Sequence, residues 1–151
     1  MELAQARKLA EDLMRLHKLL PKWSFKFDRS KVSFGKCYYA KKQISLSQYL
    51  VELNEEDEVR DTILHEIAHA LTPGDGHGPL WKAMCVRIGA NPARCYDAET
   101  VRSPARPAPK YRLGCQACDW WVDRRKLTRH RYICRRCRGK LVYQERVALA
   151  G

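Results

Sequence analysis

Four cysteines constrain the C-terminal third of this chain more tightly than any other feature. Cys115-x-x-Cys118 and Cys134-x-x-Cys137 are separated by fifteen residues. Each pair can chelate one metal from a tight turn, and the stretch between them is long enough to return the chain as a hairpin. Together they predict a closed tetrahedral thiolate site, the arrangement of structural zinc. Tyr111-Arg112-Leu113, Trp120-Trp121-Val122 and Leu141-Val142-Tyr143 read as short strands around it. The module is therefore expected to be a zinc ribbon over residues 111–151, with Gly114 and Gly139 as its flexible turn positions. A thioredoxin-like redox pair would need a βαβ context and only one CxxC. Cys37, Cys85 and Cys95 have no partner spacing, and Cys85 reads as a small buried apolar residue of a helix.

The net charge is +12 over 151 residues. Divided after Cys95, the first part carries +3 and residues 96–151 carry +9, with eleven arginines among the fourteen basic residues of that second part. Arginine makes bidentate contacts to phosphate and stacks on bases, so a polyanion, and nucleic acid above all, is the expected partner. Between the cysteine pairs the basic residues Arg124, Arg125, Lys126, Arg129 and Arg131 interleave with Trp120, Trp121, His130 and Tyr132, and Arg135, Arg136 and Arg138 follow. This combination suits phosphate contact plus base stacking. The competing reading is a solvated basic surface with a tryptophan packed against the ribbon. Before the ribbon, residues 100–110 hold three prolines and read as a linker. No apolar run is long enough for a bilayer span and the N-terminus lacks a signal-peptide pattern, so a soluble, cytoplasmic chain is expected.

Upstream, Asn54-Glu55-Glu56-Asp57 reads as a helix N-cap followed by acids in the first turn. Val59, Ile63, Ile67 and Leu71 then recur every four residues as one buried stripe, and Thr72-Pro73-Gly74 ends the helix. Inside it lies His65-Glu66-Ile67-Ala68-His69. Histidines at i and i+4 lie one turn apart on the same face and can place two imidazoles on one zinc ion, while Glu66 is placed to act as general base. Past the helix, Gly74-Asp75-Gly76-His77-Gly78-Pro79 turns the chain and offers His77 as a third ligand. Asp75, or a glutamate further along, competes for that role, and His77 could instead be a cap or loop residue. The HExxHxxGxxH spacing of metzincins is absent.

HEIAHAL (65–71), HGPLWK (77–82) and the downstream double CxxC together resemble the SprT-like family of zinc metallopeptidases, which includes the Spartan proteases that act on DNA–protein crosslinks. The resemblance runs from the first helix to the ribbon and points to a small bacterial or phage-type member. It implies an α+β fold: a mini-gluzincin-like zincin domain over residues 1–99, with an N-terminal helix, a three-stranded sheet and the HExxH helix, followed by the ribbon. Carried over by position, His65, His69 and His77 bind a catalytic zinc, Glu66 is the base, and Cys115, Cys118, Cys134 and Cys137 hold a structural zinc. The sheet is expected from residues 23–27, 32–39 and 44–47, the last as an edge strand able to pair with a substrate peptide.

The function implied is a zinc endopeptidase, acting as a monomer, that cuts proteins bound or crosslinked to DNA. The ribbon would hold DNA, probed most directly by the steep salt dependence of phosphate-driven binding. The location implied is cytoplasmic and nucleoid-associated, or the host cytoplasm if the protein is phage-encoded. Tyr38, Tyr39 and Tyr96 are the candidate oxyanion donors. Two alternatives stand beside this reading: a non-catalytic DNA-binding zinc protein, and a protease whose ribbon serves protein interaction or stability only.

Overall fold

The computed structural model describes residues 1–93, 101–105 and 107–146; Cys95 and Tyr96 lie outside the described residues. The chain divides into two compact units, Met1–Pro104 and Ala105–Gly151.

The first unit opens on helix α1, Leu3–Leu16, which buries Ala6, Ala10, Leu13 and Met14. These positions recur at three- and four-residue intervals and form one stripe. Its exposed side carries Lys8–Asp12 and Arg7–Glu11 pairs at i,i+4. Strands β1 (Ser24–Asp28), β2 (Gly35–Tyr38) and β3 (Gln43–Ser47) follow, with a 3-10 turn at Tyr39–Lys41 between the last two. They form one sheet in the order β1-β3-β2, β3 running parallel to β1 and antiparallel to β2.

The expectation that Ile44–Ser47 forms an edge strand is therefore wrong: β3 is the central strand. The alternation of apolar and hydroxyl residues suggests one wet face, yet Ile44, Ser45, Leu46 and Ser47 are all fully buried. The hydroxyls tolerate burial because each is bonded, Ser45 donating to Asp28 at 2.8 Å and Ser47 to the Ser30 carbonyl at 2.5 Å. The open edge on the groove side belongs to β2.

Ser47 Oγ also accepts from the Leu50 amide at 3.2 Å and so caps α2, Gln48–Leu53. Helix α3, Glu56–Leu71, starts one residue later than the sequence pattern suggests. Glu55 is its N-cap, without a side-chain bond, and Glu56, Asp57 and Glu58 fill the first turn. Asn54 is occupied elsewhere: its amide donates to the carbonyls of Leu50 and Arg102, and its oxygen accepts from the Arg102 amide at 2.7 Å. That clasp, with Val101 buried in the core, ties the start of the proline-rich stretch to the first unit. Helix α4, Pro79–Ile88, begins with proline at N1 and ends at Gly89, whose φ of 78° is left-handed. The core joins α1, the inner sheet face and α3, with Trp81 and Cys85 of α4 completing it.

The second unit is a three-stranded antiparallel sheet, β4 (Tyr111–Cys115), β5 (Trp120–Arg124) and β6 (Val142–Glu145), in the order β5-β4-β6. The turn glycines are not where the sequence places them. The left-handed residues are Asp119 (φ 45°) and Arg138 (φ 63°), each directly after the second cysteine of a pair. Gly114 lies inside β4, where a Cβ would strike the Trp120 carbonyl and the Trp121 ring. Its role is close approach, not turn freedom.

Candidate active site

Helix α3 sets His65 and His69 on one face, turned from the stripe of Val59, Ile63 and Ile67 that enters the core. The chain must then reverse to bring a third imidazole back. Gly74 and Gly76 supply this with φ of 88° and 60°, values that side-chain-bearing residues rarely adopt. Asp75, the rival for the third position, is committed to the turn. Its carboxylate accepts from the Trp81 amide at 2.8 Å at the start of α4, and its carbonyl accepts from the Gly78 amide at 3.0 Å. A Cβ at residue 78 would lie 2.6 Å from that carboxylate, so glycine lets the turn close.

The result brings His77 Nε2 to 3.2 Å from both His65 Nε2 and His69 Nε2. Ligands roughly 2.0–2.1 Å from one zinc in a tetrahedral set lie about 3.3 Å from one another, so these nitrogens fit that ion. Their protonation fits too. Burial, then the neighbouring imidazoles, pushes both His65 and His69 down to about 4, leaving neutral lone pairs at pH 7.

Trp81 is the residue that motif reading missed. Fully buried, it stacks on His69 at 5.2 Å and meets His65 and His77 edge-on at 4.7 and 4.5 Å. One ring thereby limits the rotamers of all three histidines. Its sequence signal was its place four residues after His77, in the first turn of α4.

Glu66, 6% exposed, lies beside the histidines, and burial pushes its carboxyl up to about 8. Gly35 of β2 makes room for it: a Cβ there would lie 2.7 Å from Glu66 Cγ and Oε1 and 2.9 Å from Thr62 Cγ2. Gly35→Ala is therefore expected to displace the carboxylate and lower turnover by about 10²-fold, because small misplacements of reacting groups cost that much. Metal content should be unchanged, and equal loss of metal and activity would show that the glycine serves the fold instead.

These groups line an open groove of about 800 Å³, walled by Val32–Cys37 and Tyr39 on one side and by Asp61, Thr62 and the histidines on the other. Of the candidate tyrosines, Tyr39 lines the groove, its phenol held above its usual pKa by burial and then by Cys37 and Glu66. Tyr38 pairs with Gln43 on the polar sheet face, beneath Lys26. Burial, then Glu66, pushes the Cys37 thiol up to about 12, so it is a poor nucleophile.

In the second unit the four ribbon sulfurs lie within 4.8 Å of one another, with Cys115–Cys137 at 3.5 Å and Cys118–Cys134 at 3.9 Å. Sulfurs about 2.3 Å from a tetrahedral zinc would be about 3.8 Å apart, so this set also fits. The Cys137 amide and the Trp120 indole N–H, which donates at 3.4 Å, help draw Cys134 down to about 6. Trp121 packs over Gly114 and beneath the Arg112 guanidinium at 4.5 Å. Arg124, Arg125, Lys126, Arg129, Arg131, Arg135, Arg136 and Arg138 are all exposed. Arg124 and Arg125 donate to backbone carbonyls, and none of the eight pairs with a carboxylate among the described residues.

The SprT-like family model matches residues 3–101. Protein SprT of Pseudomonas putida (strain GB-1) is 33% identical over 134 residues, covering 82% of this chain and 80% of that protein. Protein SprT of Glaesserella parasuis is 30% identical over 116 residues, covering 72% and 74%. Among solved structures, the metallopeptidase zymogen of Methanocaldococcus jannaschii jannalysin aligns with a TM-score of 0.49 at 15% identity, covering 63% of this chain and 85% of that one. Among the described residues no helix is long and apolar enough to cross a membrane.

Proposed function

This chain belongs to the SprT-like family, and on that premise we propose that it is a zinc-dependent endopeptidase that cuts proteins bound or crosslinked to DNA. The observation carrying the proposal is the convergence of His65, His69 and His77 beside a buried Glu66 at the floor of an open groove. A structural site has no use for a desolvated carboxylate at its side. Zinc held by the three histidines would supply Lewis-acid polarisation of the scissile carbonyl and acidify the attacking water.

The remaining work falls to the chain. Glu66, which a cation held by the neighbouring histidines would keep ionised, takes the proton from the water and returns it to the leaving amine. Tyr39, kept protonated, donates to the developing oxyanion. Strand β2 orients the substrate. Phe34 accepts from the Ser47 amide at 2.8 Å, so its backbone faces β3. Antiparallel alternation then turns the N–H and C=O groups of Gly35 and Cys37 outward, where an extended peptide can add as a further strand. An open groove suits varied protein substrates, with selection by co-localisation. In this proposal a second zinc, on the four cysteines, orders the ribbon, whose arginines and tryptophans hold DNA. The chain would then act as a monomer at the nucleoid.

The test is cleavage of a DNA-bound protein by the zinc-loaded chain, with and without single-stranded DNA and with a chelator. DNA-stimulated cleavage that the chelator stops is expected. Equal cleavage with and without DNA would remove the DNA half of the proposal, and no cleavage by the loaded chain would remove the protease half.

A further inference from the structure

Charge within the catalytic unit is strongly segregated. Between Asp12 and Glu52 the sequence holds nine lysines and arginines but one acid, Asp28. All nine side chains are exposed except Lys36, which is half-buried. Arg15 pairs with Asp12, and Lys36 approaches Asp28 at 3.9 Å; among the described residues the other seven have no carboxylate partner.

The sheet gathers several of them. Lys26 of β1 and Lys36 of β2 are both in register with Ser45 of the central strand, so they stand on the same face. Two strand spacings put their backbones about 10 Å apart. Aromatic rings lie under the cations: Lys26 Nζ is 5.6 Å from the Tyr38 centroid, and Lys31 Nζ is 5.5 Å from that of Tyr49. Lys41 and Lys42 follow β2, and the Lys42 carbonyl accepts from the Ser24 amide, which holds that turn against the end of β1.

We propose that this polar sheet face, with Lys31 and Lys41 of the loops flanking β2, is a second nucleic-acid-binding surface, built into the catalytic unit and acting independently of the ribbon. The inference rests on the DNA-associated reading above and deepens it. Unpaired lysines beside aromatic rings suit a phosphate backbone with exposed bases better than an acidic protein, which offers no π-faces to stack. Strand β2 joins this surface to the groove, since Lys36 and Tyr38 belong to one face and Gly35 and Cys37 to the other. A nucleic-acid strand held there brings an attached protein to the β2 edge that borders the histidine groove.

The experiment is anisotropy of a fluorescein-labelled single-stranded oligonucleotide with the full-length chain across a salt series. K26Q/K31Q/K41Q alters only exposed lysines outside the groove. It should reduce the magnitude of the slope of log K against log salt by about 2, and weaken affinity about fivefold or more at moderate salt. The same loss should appear when R124Q/R125Q/R129Q is already present, and K26R/K31R/K41R should restore parental binding. Unchanged slope and affinity in the triple glutamine variant overturn the proposal while leaving the DNA reading intact. Polyglutamate competing as well as oligonucleotide makes the face a site for acidic polymers and overturns it too. A parent chain that binds no oligonucleotide refutes the DNA reading itself, a distinguishable result.

Discussion

Replacing Glu66 with Gln is expected to lower kcat by about 10²–10⁴-fold, the range general acid–base catalysis contributes, while leaving the zinc content unchanged. In the chelated chain the same change should raise stability. The Glu66 carboxyl is pushed up to about 8 by burial, whereas an unfolded chain releases that proton near pH 4.3. The favourable contribution of the protonated group is therefore complete below about pH 4.3 and is lost as pH rises through about 8. Glutamine has no proton to lose, so variant and parent should agree near pH 4 and diverge to several kcal/mol by pH 8. His65 and His69 act in the opposite direction. Their pKa values fall to about 4 in the fold, so their contribution is present above about pH 6.5 and lost as pH falls through 4. That limb is common to both proteins and leaves the difference between them unaltered. Denaturant midpoints of both metal-free proteins from pH 4 to 8 measure it. Parallel curves would mean that Glu66 is solvated in solution and is not a desolvated base.

Much of this site was legible because its information is local. His65, Glu66 and His69 share one helical turn, and the glycines around His77 announce a reversal wherever the chain goes. Each CxxC likewise states its chelating geometry within four residues. What stayed hidden depends on distant partners. Ile44–Ser47 carries the alternation of a half-wet strand, and only Asp28 and the Ser30 carbonyl, seventeen residues away, make Ser45 and Ser47 fit for burial. Asn54 has the composition of a helix cap, but Arg102, forty-eight residues on, claims its amide. Gly114 reads as a turn residue until β5 is laid against β4 and the Trp121 ring covers it. The basic sheet face was concealed differently. Dividing the charge after Cys95 averages the lysines of β1 and β2 against the acids of α3, and only pairing both strands with Ser45 separates them.

Removing zinc should unfold the ribbon and leave the catalytic unit folded. The two units differ in what else holds them. In the first, some twenty buried residues from α1 to Val101 form one continuous core. In the second, the buried hydrophobic residues among those described are Leu113 and two of the cysteines themselves, Cys115 and Cys134. A single buried leucine cannot offset the entropy of ordering three strands. Metal binding worth about 10–16 kcal/mol in zinc-finger peptides at pH 7 can. Without the ion, four sulfurs within 4.8 Å become a liability, because thiolates at that separation repel one another. Hydrogen exchange on the full chain should therefore show Tyr111–Cys115 and Val142–Glu145 losing protection on chelation, while the amides of Glu56–Leu71 remain slow. Cys134→Ser should do the same without chelator and, on the proposed two-zinc reading, reduce bound zinc by one ion per chain. It should also leave cleavage of a free, unstructured protein near the parental rate, since that reaction needs only the histidine site. Protection of the ribbon strands that survives metal removal would contradict this account, because the described residues offer no other core to sustain it.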